Sequence, residues 1–521
     1  MSLRRTIFNV ATGKFATEAA TGVSIIRVSG PNAFNAIEKL TLSRSREKCM
    51  QKYKVRELKT CSLYHPQSLQ PLDKAMCVRF NGPYSFTGED MVELHVHGSR
   101  SVIDGVLSAL EEIPDFRMSY RGEFTKRAYE NQKLDLIEIE GMSDLLSAKT
   151  ETQRIQALNM LGGNASKLVD DWRTDLVKLR AQVEAILDFG DDEEDVLMEE
   201  DFLTSLRVEN AKLQNDMKAC LVEVDRSNEI IRDGVQVSLV GPPNAGKSSL
   251  LNALSNREAA IVTNVPGTTR DIISVPLNVH GYATQVSDTA GLRKNDGVDL
   301  VEQIGIKNTL KSIENADVNI LVCDATTLVH LDSLNDTTTF SATKPDLHGL
   351  FSSFKPDIIV LNKMDLIDAV GKEISFDTIH SNVQQLFDFD GDLDPKSVVK
   401  LSCKENQGID SLLNTLKTQI ENLLSLSNSK YEESGILSRK RHRARLVETI
   451  AALEHVDRHL SVSDLGCEDR SESILYTAEE DKLVLIAEEL RIATTALEKL
   501  TGKIDVEDVL DVLFEEFCIG K

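Results

Sequence analysis

Gly241-Pro242-Pro243-Asn244-Ala245-Gly246-Lys247-Ser248 decides the fold, because it joins the apolar run Val235 to Val240 to a helical pattern from Ser249 to Leu254. The spacing is GxxxxGKS. Glycines at this spacing let main-chain N–H groups wrap phosphate oxygens, and the N-terminus of the following helix adds positive potential. Lys247 is placed to reach the terminal phosphates and the Ser248 hydroxyl to ligate magnesium. Asn244, Ala245, Gly246, Lys247, Ser248 and Ser249 are therefore candidate nucleotide contacts. A merely structural glycine-rich turn does not call for strand, lysine, hydroxyl and helix in this order.

Working outward, Asp288-Thr289-Ala290-Gly291 follows a short apolar segment and puts a carboxylate near the magnesium and Gly291 near the γ-phosphate. Asn362-Lys363-Met364-Asp365 follows the apolar run Asp357 to Leu361. A carboxylate there accepts hydrogen bonds from guanine N1–H and the exocyclic amine, a pair adenine does not offer, so it selects GTP over ATP. Ser402-Cys403-Lys404 falls where a loop's backbone contacts the guanine oxygen. With Val318 to Cys323 as a further strand, the rhythm predicts a mainly parallel α/β sheet. Leu292 stands where Ras-like GTPases carry a water-orienting Gln. Leucine cannot polarise water, so either the chain binds GTP without hydrolysing it or another acid and another cation act.

The remaining sequence has to hold further domains, since 521 residues at roughly 100 to 200 per domain call for about three. The boundaries read as an α+β block at 1–133, a helical block at 134–232, the nucleotide block at 233–425 and a second helical stretch at 426–521. Val23 to Val28 and Met91 to Val96 read as strands of the first block; Leu176, Leu179, Val183, Ile186 and Leu187 recur at helical spacing in the second. Glu479 to Leu500 and Val506 to Phe517 carry the final helical pattern. The simplest topology packs the two helical stretches together and makes the α/β unit an insertion. The acidic run Asp188 to Asp201 reads as a solvated connection, and 326–356 as a surface insertion.

Mean hydropathy is -0.20, and no apolar run approaches the roughly 18 residues of a membrane span. The 8 cysteines form no CxxC pair, against a disulfide framework or structural zinc and for a reducing compartment. A net charge of -24 is the wrong sign for sequence-blind binding to nucleic acid, so RNA contact needs a local basic patch or a partner. Ser438 to Arg445 is the densest basic run, readable as a phosphate contact or a solvated helix start. His95 and His97 alternate on one strand face and read as packing histidines rather than a two-His metal site. Arg4, Arg5 and Lys14 precede the first acidic residue, Glu18, which loosely matches a mitochondrial presequence.

Thr263-Asn264-Val265-Pro266-Gly267-Thr268-Thr269-Arg270-Asp271, the Asn244 of the phosphate loop and the terminal Cys518-Ile519-Gly520-Lys521 resemble the MnmE (TrmE) family over nearly the whole chain. The resemblance implies a Ras-like GTPase domain inserted in a helical domain, behind a dimerising, folate-binding N-terminal domain. It implies that 263–269 contact the nucleotide, with Ser248 and Thr269 on magnesium. Potassium would replace an arginine finger, held by the Asn244 and Thr268 side chains and the Thr263 and Val265 carbonyls, while Glu302 orients water. A tetrahydrofolate derivative (5,10-methylene or 5-formyl) would meet Arg27, Glu93, Lys133 and Lys521, with Cys518 a candidate for chemistry. The implied activity is modification of tRNA wobble uridine 34 by a homodimer with the FAD-dependent MnmG (GidA) partner. Glu93-Leu94-His95-Val96-His97-Gly98 and Asp188 to Asp192 favour the mitochondrial matrix over a bacterial cytoplasm. Departures are Ser99, Pro266 and the length of 326–356. The rivals are an Era/Der-like ribosome-assembly GTPase, which needs an RNA-binding module, and a non-catalytic GTP-dependent scaffold.

Overall fold

The computed structural model describes residues 5–12, 21–42, 51–189, 200–223, 229–242, 244–257, 274–288, 312–327, 356–369, 375–387, 394–424, 439–461, 472–504, 513–514 and 517. They fall into two compact units: 1–146 with 159–215 and 444–521, and 147–158 with 216–443.

The first unit carries a six-stranded sheet of β1 (Thr6–Val10), β2 (Thr21–Ser29), β3 (Lys59–Tyr64), β4 (Pro71–Phe80), β5 (Met91–Gly98) and β6 (Phe116–Met118) in the order β3-β4-β5-β2-β1-β6. Its neighbours are antiparallel except β1 and β6. Alternation sorts the faces, because successive side chains of a strand point to opposite sides. Ile26 and Val28 of β2 and Val92, Leu94 and Val96 of β5 turn into a core completed by the helices Phe34–Leu40 and Arg100–Glu111. Leu94 and Ile26 are fully buried, each worth about 1.5–3 kcal/mol of transfer free energy. The other face presents Arg27, Glu93, His95 and His97, in the period-2 register read from the sequence.

The two helical stretches meet in this unit. The helix Asn164–Phe189 buries Val169, Trp172, Leu176, Leu179 and Val183 and packs along the helix Glu472–Thr501, where Arg173 Nε donates to Glu498 Oε1 at 2.8 Å. Asn210 and Gln214 both donate to the Leu453 carbonyl.

The second unit holds β7 (Val235–Val240), β8 (Ser274–Val279), β9 (Tyr282–Asp288), β10 (Val318–Asp324), β11 (Ile358–Asn362) and β12 (Val398–Lys400) in the order β12-β11-β10-β7-β9-β8. All neighbours are parallel except the β8–β9 hairpin. β11 is buried along its whole length because helices cover both faces of a parallel sheet, which is why it reads as one apolar run. The helices Lys247–Ser255 and Ile409–Leu424 close one face around Leu250, Leu254, Leu412 and Leu416. Ile379 and Val383 of the helix Phe376–Phe387 close the other. His280 and Gly281, both at positive φ, make the two-residue hairpin turn, whose handedness suits twisted strands. Residues 190–199, 328–355 and 505–512, which hold most of the acidic run, the insertion and the last helical pattern, lie outside the described residues.

Candidate nucleotide site

The carboxyl ends of β7, β10 and β11 lie side by side, where open parallel sheets bind ligands. β7 runs into Gly241, where a Cβ would stand 2.2 Å from the Val322 carbonyl oxygen of β10, so only glycine lets the chain turn there. Asn244 (φ 62) and Gly246 (φ 96) take left-handed backbone, and a Cβ on Gly246 would lie 2.1 Å from Asn362 Nδ2. The loop thus exposes main-chain N–H groups at the start of the helix Lys247–Ser255.

Lys247 Nζ donates to the carbonyls of Gly241 (2.7 Å) and Pro242 (2.9 Å), folding the side chain back over the loop. Burial lowers its pKa, and the nearby Asp288 carboxylate opposes that shift. An anion against this ammonium would favour its charged form further. The Ser248 hydroxyl donates to Asp288 Oδ2 at 2.7 Å, and Asp288 is 3% exposed. A hydroxyl and a carboxylate oxygen beside a phosphate cradle suit magnesium, and these two residues would hold it.

Asn362 joins this half to the base-reading half. Its Nδ2 donates to the Ala245 carbonyl at 3.0 Å, and its Oδ1 accepts from Lys363 N (2.8 Å) and Cys403 N (3.3 Å). Asp365 Oδ1 accepts from the Ser402 hydroxyl at 2.7 Å, which fixes the carboxylate that would read guanine. Burial pushes the Cys403 thiol up to about 11, against nucleophilic chemistry there. Lys404 is exposed beside Cys403. One participant has no sequence motif. Asp324, at the end of β10, binds Lys363 Nζ at 2.6 Å through Oδ2 and Thr326 through Oδ1. Burial raises its pKa, but these bonds outweigh it and hold the carboxylate below its ordinary range. Its only signal in the sequence is its place after an apolar strand.

In the first unit, Arg27 and Glu93 are directly opposed across β2 and β5; Arg27 Nε and Nη2 both reach Glu93 Oε1, at 3.0 and 2.9 Å. The Arg27 guanidinium lies 4.9 Å from the Phe86 ring centroid. Lys133 is exposed, and its chain borders Gly88, where a Cβ would come within 3.2 Å of Lys133 Cγ. Asn131 ties the same loop by donating to the Thr87 carbonyl at 2.6 Å. Arg27, Glu93 and Lys133 are thus gathered round the 86–93 segment. Beside it, buried Arg127 pairs with Glu89 at 2.9 Å and Glu123 at 3.1 Å, a support the sequence did not single out. The packing role expected of His97 is not observed: its side chain is 67% exposed, and its Nδ1 lies 2.7 Å from Asp73 Oδ1. Among the described residues no group of three His, Cys, Asp or Glu is placed to hold a metal. In the basic run, His442 is fully buried and Arg445 pairs with Glu448 at 2.7 Å.

Two family models match this chain, the GTP-binding protein TrmE N-terminus over residues 6–133 and the MnmE helical domain over 136–518. The chain belongs to the MnmE family. It is 38% identical to the tRNA modification GTPase MnmE of Parvibaculum lavamentivorans, over 96% of this chain and 97% of that one. It is 36% identical to the mitochondrial tRNA modification GTPase gtpbp3 of Dictyostelium discoideum, over 100% and 96%. It is 37% identical to the mitochondrial 5-taurinomethyluridine-[tRNA] synthase subunit GTPB3 of Homo sapiens, over 99% and 93%.

As a member of the MnmE family the chain combines an α+β N-terminal region, helical segments and a P-loop unit, the architecture expected from its motifs. The residues expected in the potassium loop (Thr263 to Thr269), the second switch (Thr289, Ala290, Gly291), Glu302 and the terminal Cys518 and Lys521 lie outside the described residues.

Proposed function

We propose that this chain hydrolyses GTP in the service of tRNA modification at wobble uridine 34. The observation that carries the reading is the Asn362–Ala245 hydrogen bond, which ties the glycine-rich loop to the segment holding Asp365, the carboxylate this reading assigns to guanine, with the Ser248–Asp288 pair beside it. The names of the MnmE and GTPB3 relatives support the tRNA role. In this reading the main chain of 244–249 and Lys247 bind the phosphates, Asp365 selects guanine, and Ser248, Thr269 and Asp288 serve magnesium. Potassium at Asn244, Thr263, Val265 and Thr268 supplies the positive charge that an arginine finger gives elsewhere, and Glu302 orients the attacking water.

The same reading gives Arg27, Glu93, Lys133 and Lys521 to a tetrahydrofolate derivative, with Cys518 near its reactive end. Arg27 engages Oε1 of Glu93, so Oε2 is the oxygen that would accept from a pterin ring N–H and amine. The chain works as a homodimer with an FAD-dependent MnmG partner in the mitochondrial matrix, divided into blocks at 1–133, 134–232, 233–425 and 426–521. The mitochondrial relative's name supports that placement, and the bacterial relatives correspond to the alternative of a bacterial-type cytoplasm.

GTP turnover in potassium chloride against sodium chloride at equal ionic strength tests the mechanism. Marked potassium stimulation is expected. Equal slow rates in both salts would remove the potassium account and leave a GTP-binding scaffold or a GTPase awaiting an activator.

A further inference from the structure

The outward face of β3, β4 and β5 carries a groove of about 480 Å³ that no part of the GTP reading uses. Lys52, Lys74, His95 and His97 line it with apolar Val23 and Met76, and among the described residues its lining includes no acid. In a chain of net charge -24, this concavity gathers two lysines and two histidines on one face. The groove is also built. Asp73, whose side chain is 7% exposed, accepts from the His97 main-chain N–H at 2.8 Å, contacts the His97 ring and receives the Lys74 main-chain N–H at 2.8 Å. That carboxylate fixes the groove's edge by holding the His97 and Lys74 main chain and the His97 ring. His95 Nε2 is buried without a hydrogen bond, with Glu93 Oε2 at 3.9 Å.

The groove begins where the Arg27–Glu93 pair ends. Glu93, His95 and His97 follow one another on one face of β5, and the four-residue step from Glu93 to His97 covers about 14 Å of strand. Met76, on the groove floor, is the Cα partner of His95, which keeps the path continuous across β4. An extended pteroyl group has about that reach, so a pterin ring held at Glu93 delivers its aminobenzoyl end over Met76 and directs the γ-linked glutamates beyond the first towards Lys52 and Lys74.

We propose that this groove is a subsite for the γ-linked oligoglutamate tail of the folate, so that the chain's preferred cofactor is a polyglutamylated form. The inference rests on the folate reading above. Its chemistry is several carboxylates meeting two exposed ammonium groups beside fixed imidazoles. Exposed ion pairs are individually weak, so the tail adds a gain of about fivefold to tenfold.

The test is calorimetric binding of 5-formyltetrahydrofolate and of its γ-triglutamyl form to the full-length protein. The wild type and the variants Lys52→Gln/Lys74→Gln and Arg27→Ala are compared, with circular dichroism confirming that each is folded. The expected result is tighter binding of the triglutamate by the wild type, loss of that gain in the lysine variant with monoglutamate affinity unchanged, and weaker binding of both forms by Arg27→Ala. Equal wild-type affinities, or a lysine variant that keeps the gain or weakens both forms alike, would overturn the subsite while leaving the folate reading standing. No binding of either form by the wild type would overturn the folate reading and the subsite with it. A lysine variant that binds both folates as the wild type does but loses affinity for tRNA would assign the groove to RNA phosphate and overturn the proposal.

Discussion

The Ser248 hydroxyl donates to Asp288 Oδ2 at 2.7 Å, so the first turn of one helix and the last residue of β9 converge on one point. Parallel pairing of β7 with β9, with Leu239 opposite Asp288, sets that convergence. Asp288→Asn keeps the shape but replaces an anionic oxygen by an amide. GTP turnover is expected to fall by at least about 100-fold, with the melting temperature nearly unchanged, since metal and phosphate clamps act on developing charge. Turnover measured across a magnesium titration checks this; a variant as fast as the wild type throughout would remove Asp288 from the metal site.

Gly246→Ala acts through geometry. The residue sits at φ 96 and its Cβ would meet Asn362 Nδ2 at 2.1 Å, so the substitution strains the backbone and breaks the Asn362–Ala245 bond. The expected cost is about 2–3 kcal/mol of stability, with GTP affinity reduced more than about tenfold. Chemical denaturation and a fluorescent GTP analogue read the two effects separately.

Asp365→Asn tests base selection. In the proposed reading the carboxylate accepts from guanine's N–H groups; Ser402 holds Oδ1, and an amide would put a donor where xanthine carries a carbonyl. GTP affinity is expected to drop about 100-fold and XTP affinity to rise relative to it, measured by competition binding. Parallel losses for both nucleotides would mean that Asp365 only supports the loop.

Glu123 couples the first unit to pH. Burial raises its pKa, but hydrogen bonds from Arg117 and the Tyr120 main chain, with the charge of Arg127, outweigh burial and hold it below the ordinary 4.5. A carboxyl depressed in the folded state contributes stability above its unfolded value and loses it as pH falls through the folded one. Glu123→Gln is therefore expected to cost about 3 kcal/mol near neutral pH and progressively less below about pH 4. Melting curves over that range decide it: a constant difference would mean the pair contributes shape and not charge.

The strands at 235–240, 318–324 and 358–362 were legible as apolar runs, and Gly241 to Ser248 as a phosphate loop, because both signals are local. The helical spacing of Leu176, Leu179 and Val183 likewise reports one helix face without reference to a partner. Strand alternation also placed His95 and His97 on one face; it could not show that His97 stands in solvent on an Asp73 clamp, since Asp73 lies 24 residues away on another strand.

By itself the sequence determined the order of the GTP motifs, the glycines their turns require and the alternation that sorts each strand's faces. These follow from backbone sterics and side-chain period, which act over a few residues. Only the tertiary structure decided that Asn362 buckles the phosphate loop from 117 residues away, that Asp324 anchors Lys363, and that Arg27 and Glu93, 66 residues apart, fall opposite one another. Such pairs depend on strand order and register, which arise when distant segments bury a common core, and a contact formed that way leaves no spacing in the chain to read.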